Sequence, residues 1–422
     1  MSGDTVSVIR PRTYEEAAVA VRACGARGAV ARGGPGPARG DAARNAGGTV
    51  LDMTGLDRVH VVDADEGVVL CAAGVTLRRL TELVLPLGWL VPAGPAARHT
   101  TVGGAIAAGL HVSGSFTRHV QALELLTADG EVRAVRPDTE LFEATAGGLG
   151  LTGVILTATI RLLPVETAYL TVGTERAADL DEVLARLTGT GRDRRYAAAR
   201  IDLTARGAAT GRAVLTRADH TPLSALRTGP RGWRRPFALR SPGLPPVATL
   251  VPAGIRYRTA PRARTGELRH LSAFFHPLET VALESRLHGR FGRVRYRFAV
   301  GAGEEEMLHR IVRRVASRRC PTAHAVLQRL GEAGPGWLCG AVPGWTLALD
   351  LPAGLPGLPA FLDALDEEVA AAGGRVGLAE DARLRPDLLT AMYPRAADFR
   401  ALRARLDPRA VFASDLARRL AL

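Results

Sequence analysis

The sequence contains no lysine, and Asn45 is its only asparagine. All 55 basic residues are therefore arginine, a composition typical of codon usage in a GC-rich genome. Such a bias carries little functional meaning by itself. The absence of lysine does exclude any reaction that uses a lysine ammonium group or a lysine Schiff base.

Aromatic residues are also scarce, at 5% of the chain. A formal net charge of +13 and a pI near 10.8 are compatible with nucleic-acid binding, because arginines neutralise phosphates. The arginines are spread along the chain, however, and so few aromatic side chains cannot form a base-stacking platform. We therefore expect no nucleic-acid partner, which leaves anionic small molecules or an anionic membrane surface.

Cysteine pairs and long apolar runs are missing as well. Cys24, Cys71, Cys320 and Cys339 form no C-x-x-C pair, which indicates neither a zinc site nor a disulfide framework. No apolar run is long enough to cross a bilayer, and residues 1–14 lack the apolar core of a signal peptide. We expect a cytoplasmic globular protein with reduced thiols, and a length of 422 residues favours two domains.

The first 165 residues alternate short apolar strands with helices, a pattern typical of a βαβ-rich unit. Thr13 and Glu16 form a capping-box pattern that predicts a helix through Arg22. The β-branched run at 154–162 predicts a long strand that ends before Pro164. We place a domain boundary at this proline.

Beyond residue 166 the pattern changes to long strands and two amphipathic helices. Residues 304–319 have apolar positions at helical spacing, with acidic residues leading and arginines trailing. Residues 227–264 are rich in arginine, proline and glycine, and Trp233 and Phe237 stand among the arginines. This segment is either a solvated, mobile loop or a basic lid that makes peripheral contact with an anionic membrane.

A glycine-rich run at residues 31–41 follows a short strand that the apolar residues 29–31 predict. It has neither the G-x-G-x-x-G pattern of a Rossmann fold nor the G-K-S/T of a Walker motif. Successive main-chain N–H groups in such a loop can still surround a pyrophosphate. Residues 147–153, a further glycine cluster, would close the same site.

The run at residues 100–111 pairs Gly103 with Gly104 where the chain changes direction. Two missing Cβ atoms let a ligand approach the main chain, and the small residues that follow could lie against a planar ring. His111 stands at the end of that surface. The alternative is a buried turn between tightly packed elements.

Seven motifs occur in order along nearly the whole chain. They are TVGGAIA with a following histidine (100–111), GSF..HV (114–120), LLTADGE (125–131), GLTGVI (150–155), GW (344–345), AMYPR (391–395) and DP..VFASDLARRL (407–420). In these motifs the chain resembles the FAD-linked oxidases of the vanillyl-alcohol-oxidase type. The resemblance implies an α+β, two-domain FAD-binding fold of the PCMH type with an antiparallel-sheet substrate domain. The FAD-binding domain would be residues 1–165, the substrate or cap domain 166–374, and residues 375–422 would return to the FAD domain.

The resemblance also implies FAD as the cofactor. Families that bind flavin covalently need a His or Cys in the first loop, and residues 32–42 have neither, so we expect dissociable FAD. The contacts carried over position by position are Arg32, Gly33, Gly34, Pro35, Gly36, Pro37, Ala38, Arg39, Gly40, Asp41, Ala42, Ala96, Thr101, Val102, Gly103, Gly104, Ala108, Gly109, Leu110, His111, Ile155 and Gly377.

The catalytic positions depart from the family pattern. Glu380 stands where the family has an active-site lysine, and Arg39 stands where it has a first-loop tyrosine. We hypothesise that Arg39 pairs with Glu380 and restores positive potential near the flavin, the alternative being that both point to solvent. His111 would act as base or donor, so the predicted catalytic residues are His111, Glu380 and Arg39.

The predicted substrate-binding positions also carry residues other than those of the family. They are Arg295, Arg297, Gln328, Thr346 and Ala348, and the two arginines are candidates for holding an anionic group. The resemblance implies an FAD-dependent oxidoreductase that oxidises a CH–OH group of a sugar-like, sugar-phosphate or lipid-linked substrate. The alternatives are a secondary-metabolite or polyol oxidase on the same scaffold, and a flavin-binding protein that has lost catalysis.

Overall fold

The computed structural model describes residues 6–24, 26–33, 40–92, 99–111, 114–189, 195–227, 253–275, 292–318 and 324–422. Helices and sheets are both abundant, which confirms the predicted α+β class. By its contacts the chain divides into two compact units. The first comprises Met1–Pro164, Glu332–Ala341 and Val376–Leu422, and the second comprises Val165–Gly331 and Val342–Arg375.

The first unit contains a parallel and an antiparallel sheet. The parallel sheet has the order β1 (Ser7–Ile9), β3 (Thr49–Asp52), β2 (Ala29–Arg32). The antiparallel sheet has the order β4 (Val59–Asp63), β5 (Val68–Ala72), β9 (Val154–Arg161), β7 (Val120–Leu126), β8 (Val132–Val135). A two-residue strand, β6 (Trp89–Leu90), pairs with β10 (Leu163–Pro164).

Threonine side chains begin four helices of this unit. At each start the threonine hydroxyl accepts a hydrogen bond from the backbone N–H three residues later, which satisfies a donor that the helix itself leaves unpaired. The capping threonines are Thr13, Thr76, Thr101 and Thr139. Their helices are Tyr14–Arg22, Leu77–Val84, Val102–Ala107 and Glu140–Thr145.

The short helix that carries the glycine pair is anchored in the core of the first unit. Val102, Ala105 and Ile106 are each 0% exposed and pack among residues of the sheets. Burial of a valine or isoleucine side chain contributes roughly 1.5–3 kcal/mol to stability. The position of Gly103 and Gly104 is therefore set by buried neighbours on both sides of them.

Residues 332–341 belong to the first unit, whereas the sequence placed them in the substrate domain. The backbone N–H of Trp337 donates to the carbonyl oxygen of Glu143 at 3.1 Å, and its indole Nε1 donates to the Glu143 carboxylate at 2.8 Å. A Cβ on Gly336 would lie 1.9 Å from the carbonyl oxygen of Ala146. These contacts join residues almost two hundred positions apart, so no local pattern indicates them.

The C-terminal part of the first unit contains the helices Pro386–Met392, Ala396–Leu406 and Asp415–Leu420. Between the last two, the Asp407 carboxylate accepts hydrogen bonds from the backbone N–H groups of Val411 and Phe412, both at 2.7 Å. The Arg403 guanidinium donates to the carbonyl oxygen of Phe412. Val411 in turn accepts from the N–H of Ala29, so this turn extends the edge of β2.

Replacing Asp407 with alanine is expected to lower the free energy of unfolding by about 3 kcal/mol. The substitution leaves two buried N–H groups without an acceptor and removes a carboxylate that stabilises the Arg403 charge. Urea denaturation followed by circular dichroism measures the change. Asp398→Ala, which removes a half-exposed ion pair with Arg395, is the control and should cost less than about 1 kcal/mol. Equal losses of unfolding free energy in Asp407→Ala and Asp398→Ala would contradict the stabilising role of the Asp407 carboxylate.

The second unit is built around the largest sheet. Its order is β14 (Ala263–His270), β11 (Tyr169–Ala177), β13 (Ala213–His220), β12 (Tyr196–Ile201), β16 (His324–Leu330), β17 (Gly344–Pro352), β15 (Arg293–Gly301), β18 (Arg375–Val376). Neighbouring strands from β14 to β15 are antiparallel. The helices are Leu180–Gly189, Leu223–Arg227, Ala253–Thr259, Leu271–Phe275, Glu305–Ser317 and Leu358–Ala371.

The arginine-rich segment at 227–264 is not a loop throughout. Residues 228–252 lie outside the described residues, but Ala253–Thr259 is a helix and β14 begins at Ala263. Ile255 on that helix is 50% exposed beside arginines. The peripheral membrane contact stays a prediction. Within the described parts of the chain, none of the helices has the length and apolar character that crossing a membrane requires.

Candidate functional site

The first two glycine-rich segments contact each other directly in the first unit. The backbone N–H of Thr101 donates to the carbonyl oxygen of Gly33 at 3.2 Å. A Cβ on Gly33 would lie 2.4 Å from the Thr101 hydroxyl oxygen and 2.8 Å from the Cα of Gly104. Only glycine permits this approach of two main chains, so the end of β2 and the helix Val102–Ala107 form one continuous backbone surface.

The third glycine-rich segment contacts the far end of the same helix. The N–H of Gly147 donates to the carbonyl oxygen of Ile106, and that of Leu149 to the carbonyl oxygen of Ala107, both at 2.9 Å. Gly147 has a positive φ of 77°, a conformation that favours glycine. The structure therefore brings the three predicted segments together within one unit.

Arg32, the last residue of β2, carries a buried donor at the entrance of the first loop. Its Nε is buried and has no hydrogen-bond acceptor among the described residues. Its only ion pair there, with Asp52, is 3.7 Å long, beyond hydrogen-bond distance. A guanidinium with an unused donor beside a glycine surface fits a phosphate oxygen. Residues 34–39 and Ala96, the other predicted contacts in these segments, lie outside the described residues.

The end of the first loop is held against the turn that carries Glu380. The N–H of Asp41 donates to the carbonyl oxygen of Asp381 at 2.9 Å, and a Cβ on Gly40 would lie 2.7 Å from the carbonyl carbon of Glu380. Arg419 donates to the Asp381 carboxylate at 2.9 Å and lies 3.4 Å from that of Asp41. Burial raises the pKa of Asp41, and the Arg419 charge opposes this shift.

This packing bears on the proposed pairing of Arg39 with Glu380. Gly40, the next residue after Arg39, touches the backbone of Glu380. Arg39 itself lies outside the described residues. The ion pair therefore stays a hypothesis, and the contact at Gly40 supports it.

His111 ends the small-residue surface of the second segment. Its Nδ1 lies 2.8 Å from the carbonyl oxygen of Gly109, which has a positive φ of 58°. A carbonyl oxygen can only accept, so Nδ1 must carry the proton of this hydrogen bond. Neutral His111 then has its unprotonated nitrogen at Nε2, the atom that can accept a proton.

Two other predicted cofactor contacts, Ile155 and Gly377, lie in the first unit as well. Ile155 is buried in β9, and Gly377 comes directly before the turn Leu378–Glu380. A Cβ on Gly340 would lie 3.2 Å from the Cα of Gly377. Gly340 and its neighbour Cys339 are site residues that the sequence did not indicate, because only the fold brings residues 332–341 to this place.

The five predicted substrate-binding residues all lie on one face of three adjacent strands in the second unit. Gln328 of β16 is paired with Thr346 of β17, and Ala348 of β17 with Arg297 of β15. Arg295 lies two residues from Arg297, on the same face. Directly paired residues in antiparallel strands point to the same side of a sheet. The register therefore collects these side chains on one polar surface.

Arg295, a predicted candidate for holding an anionic group, forms an ion pair within the sheet. Its Nε and terminal nitrogen donate to the two carboxylate oxygens of Asp350 at 2.7 and 3.0 Å. Asp350 is 5% exposed and compensates the arginine charge within the sheet. Thr346 is also engaged, since its hydroxyl donates to the carbonyl oxygen of Phe298 at 3.0 Å. The role of Arg297 in holding an anionic group stays a prediction.

Comparison with known proteins agrees with this arrangement. A family model described as the FAD binding domain matches residues 6–136. The decaprenylphosphoryl-β-D-ribose oxidase of Mycolicibacterium smegmatis is 37% identical over 417 residues, which cover 94% of this chain and 90% of that protein. An uncharacterized protein in the mprA 5′ region of Streptomyces coelicolor is 52% identical over 372 residues, 82% of this chain and 100% of that protein.

A more distant similarity is confined to part of the chain. The D-lactate dehydrogenase of Archaeoglobus fulgidus is 32% identical over 171 residues, 37% of this chain and 38% of that protein. The buried Arg32 donor and the glycine contact between residues 33 and 104 fit a dinucleotide with a pyrophosphate. The chain belongs to the vanillyl-alcohol-oxidase type family of FAD-linked oxidases, and FAD is its cofactor.

Proposed function

We propose that this FAD-dependent oxidoreductase oxidises a CH–OH group of a sugar-like substrate that carries a phosphate or a phosphate-linked lipid. The observation that carries the proposal is the anchored His111, which presents Nε2 as a proton acceptor at the end of the glycine surface. The similarity to a decaprenylphosphoryl-β-D-ribose oxidase supports the substrate class. Arg297 on the polar sheet face supplies a cation for an anionic group.

When bound, FAD supplies a hydride acceptor at N5 of its flavin ring. Loss of a hydride from the carbinol carbon requires that the hydroxyl proton be taken up. His111 Nε2 would accept that proton while Nδ1 keeps its hydrogen bond to the Gly109 carbonyl oxygen. The hydrogen bond to the Gly109 carbonyl oxygen stabilises the imidazolium that forms, because Nδ1–H donates more strongly when the ring is charged.

Other residues of each unit would bind and orient. In the first unit, Arg32 would hold a cofactor phosphate with its buried Nε. In the second unit, Arg297 is a candidate for holding an anionic group of the substrate. Glu380 places a carboxylate where the resemblance implies a lysine, and a negative charge beside reduced flavin is unfavourable unless it is paired or protonated. The chain has no lysine, and Arg39 is our candidate for the pairing cation.

A second candidate function is flavin binding without catalysis. Two observations favour flavin binding without catalysis. Asp350 compensates the charge of Arg295, and position 380 carries a carboxylate. Both reduce the positive charge available to an anionic substrate. A polyol or secondary-metabolite oxidase would likewise not need an anion site. These candidates differ in which compounds reduce the bound flavin.

Anaerobic bleaching of the flavin absorbance distinguishes them. The protein, loaded with FAD, is mixed with sugar phosphates, prenylphosphoryl sugars, polyols and nucleosides. We expect bleaching by a phosphate-bearing sugar, with half-saturation about tenfold higher in Arg297→Gln. Arg310→Gln, which changes a half-exposed arginine on a helix of the same unit, is the control. Bleaching by polyols alone would favour the polyol oxidase, and no bleaching by any compound would favour the silent binder.

A further inference from the structure

We propose that Cys339 is a positioning residue for His111, one that keeps the imidazole in the orientation with Nδ1 protonated and Nε2 unprotonated. The consequence for catalysis rests on the proposed function of His111. The orientation itself does not, and it can be measured separately.

The thiol and the imidazole share one acceptor. The carbonyl oxygen of Gly109 lies 2.8 Å from His111 Nδ1 and 3.9 Å from Cys339 Sγ, and the two donor atoms are 3.8 Å apart. This oxygen has two lone pairs and no hydrogen, so each donor brings its own proton. A thiol S–H at Cys339 can donate to the same oxygen, so both side chains meet at the Gly109 carbonyl.

The fold leaves room for a side chain of this size beside the carbonyl. Cys339 is 3% exposed. A Cβ on Gly109 would lie 3.2 Å from its Sγ, and a Cβ on Gly147 would lie 3.3 Å from its backbone nitrogen. Both glycines have positive φ angles, 58° and 77°. The thiol thus packs in the space that two glycines open, beside the Gly109 carbonyl oxygen.

The same segment contacts the imidazole a second time. A Cβ on Gly334 would lie 3.3 Å from His111 Cε1 and 2.4 Å from the hydroxyl oxygen of Ser115. Arg118 fixes this part by donating to the carbonyl oxygen of Ala333 at 2.9 Å. Residues 334 and 339 therefore both lie beside the imidazole ring, and these two contacts limit its rotation.

Nuclear magnetic resonance of protein labelled with ¹⁵N-histidine reads the tautomer directly. The His111 signals are those that disappear in His111→Gln. We expect one neutral form, protonated at Nδ1, in the native protein and in Cys339→Ser, which keeps a donor at this position. In Cys339→Ala we expect a second His111 form protonated at Nε2. A single unchanged Nδ1-protonated form in Cys339→Ala would overturn the proposal.

Cys71→Ala is the matched control. Cys71 is a fully buried thiol in β5, and burial raises its pKa to about 12, so this variant also loses a neutral core thiol. It should destabilise the protein without changing the His111 spectrum. A change of that spectrum as large as in Cys339→Ala would mean that the tautomer follows general loosening of the core, which contradicts the proposal.

Flavin bleaching supplies the functional measurement. We expect the limiting rate constant to fall about tenfold in Cys339→Ala and to stay within about twofold in Cys339→Ser, with half-saturation unchanged in both. Equal loss in both variants would contradict a positioning role. If His111→Gln leaves bleaching unaffected, the proposed function of His111 fails, whereas the tautomer measurement still decides the role of Cys339.

Discussion

The His111→Gln variant is expected to bind FAD normally but to be reduced by substrate about a thousandfold more slowly. Glutamine keeps hydrogen-bonding groups of similar reach but cannot take up a proton near neutral pH. The loss should appear in the limiting rate constant of anaerobic bleaching, because proton transfer belongs to the transition state rather than to substrate binding. Stopped-flow absorbance of the loaded protein measures it.

His60→Gln is the matched control for this variant. His60 lies on the exposed strand β4, where a ring nitrogen is 2.7 Å from the Tyr14 hydroxyl, and it has no part in the glycine surface. Its bleaching rate should equal that of the native protein. Native rates in His111→Gln would show that another group accepts the proton. Loss of FAD from His111→Gln would show a structural role instead.

Replacing Gly33 with alanine is expected to weaken FAD binding about a hundredfold, which corresponds to about 2.7 kcal/mol. The added Cβ would meet the Thr101 hydroxyl oxygen at 2.4 Å and both the nitrogen and Cα of Gly104 at 2.8 Å. Backbone atoms of a buried helix cannot yield as the end of a side chain can, so β2 and the first loop must move away. Titration of the apoprotein with FAD measures the Kd.

Gly189→Ala makes the same chemical change in open space. Among the described residues, no heavy atom lies within 4 Å of a Cβ at that position, so the FAD Kd should be unchanged. An unchanged Kd in Gly33→Ala would mean that the contact between residues 33 and 104 does not shape the cofactor site.

Local features of the fold were predictable because their causes are local. A threonine followed by an acidic residue at the third position predicted the helix at Tyr14–Arg22, and its hydroxyl caps that helix as expected. The β-branched run predicted at 154–162 is β9. The helix predicted at 304–319 is observed as Glu305–Ser317, with Glu304 at its N-cap and Arg318 at its C-cap, and residue 319 lies outside the described residues.

The glycine segments were predictable because glycine itself marks a close approach of the main chain, whichever element it meets. The role of residues 332–341 was not, because Trp337 and Glu143 meet only after the chain has folded. The Arg295–Asp350 pair depends on the register of β15 with β17, which alternation alone does not set. A single cysteine such as Cys339 has no pattern of its own, so its partner His111 could not be found from spacing.

The absorbance spectrum of the purified protein tests the central claim most directly. The protein is incubated with FAD, freed of excess cofactor by gel filtration, and then denatured and precipitated. We predict a flavin band that travels with the folded chain and passes into the supernatant on denaturation, because the first loop has no His or Cys for a covalent bond. A protein that shows no flavin band after incubation would contradict the account.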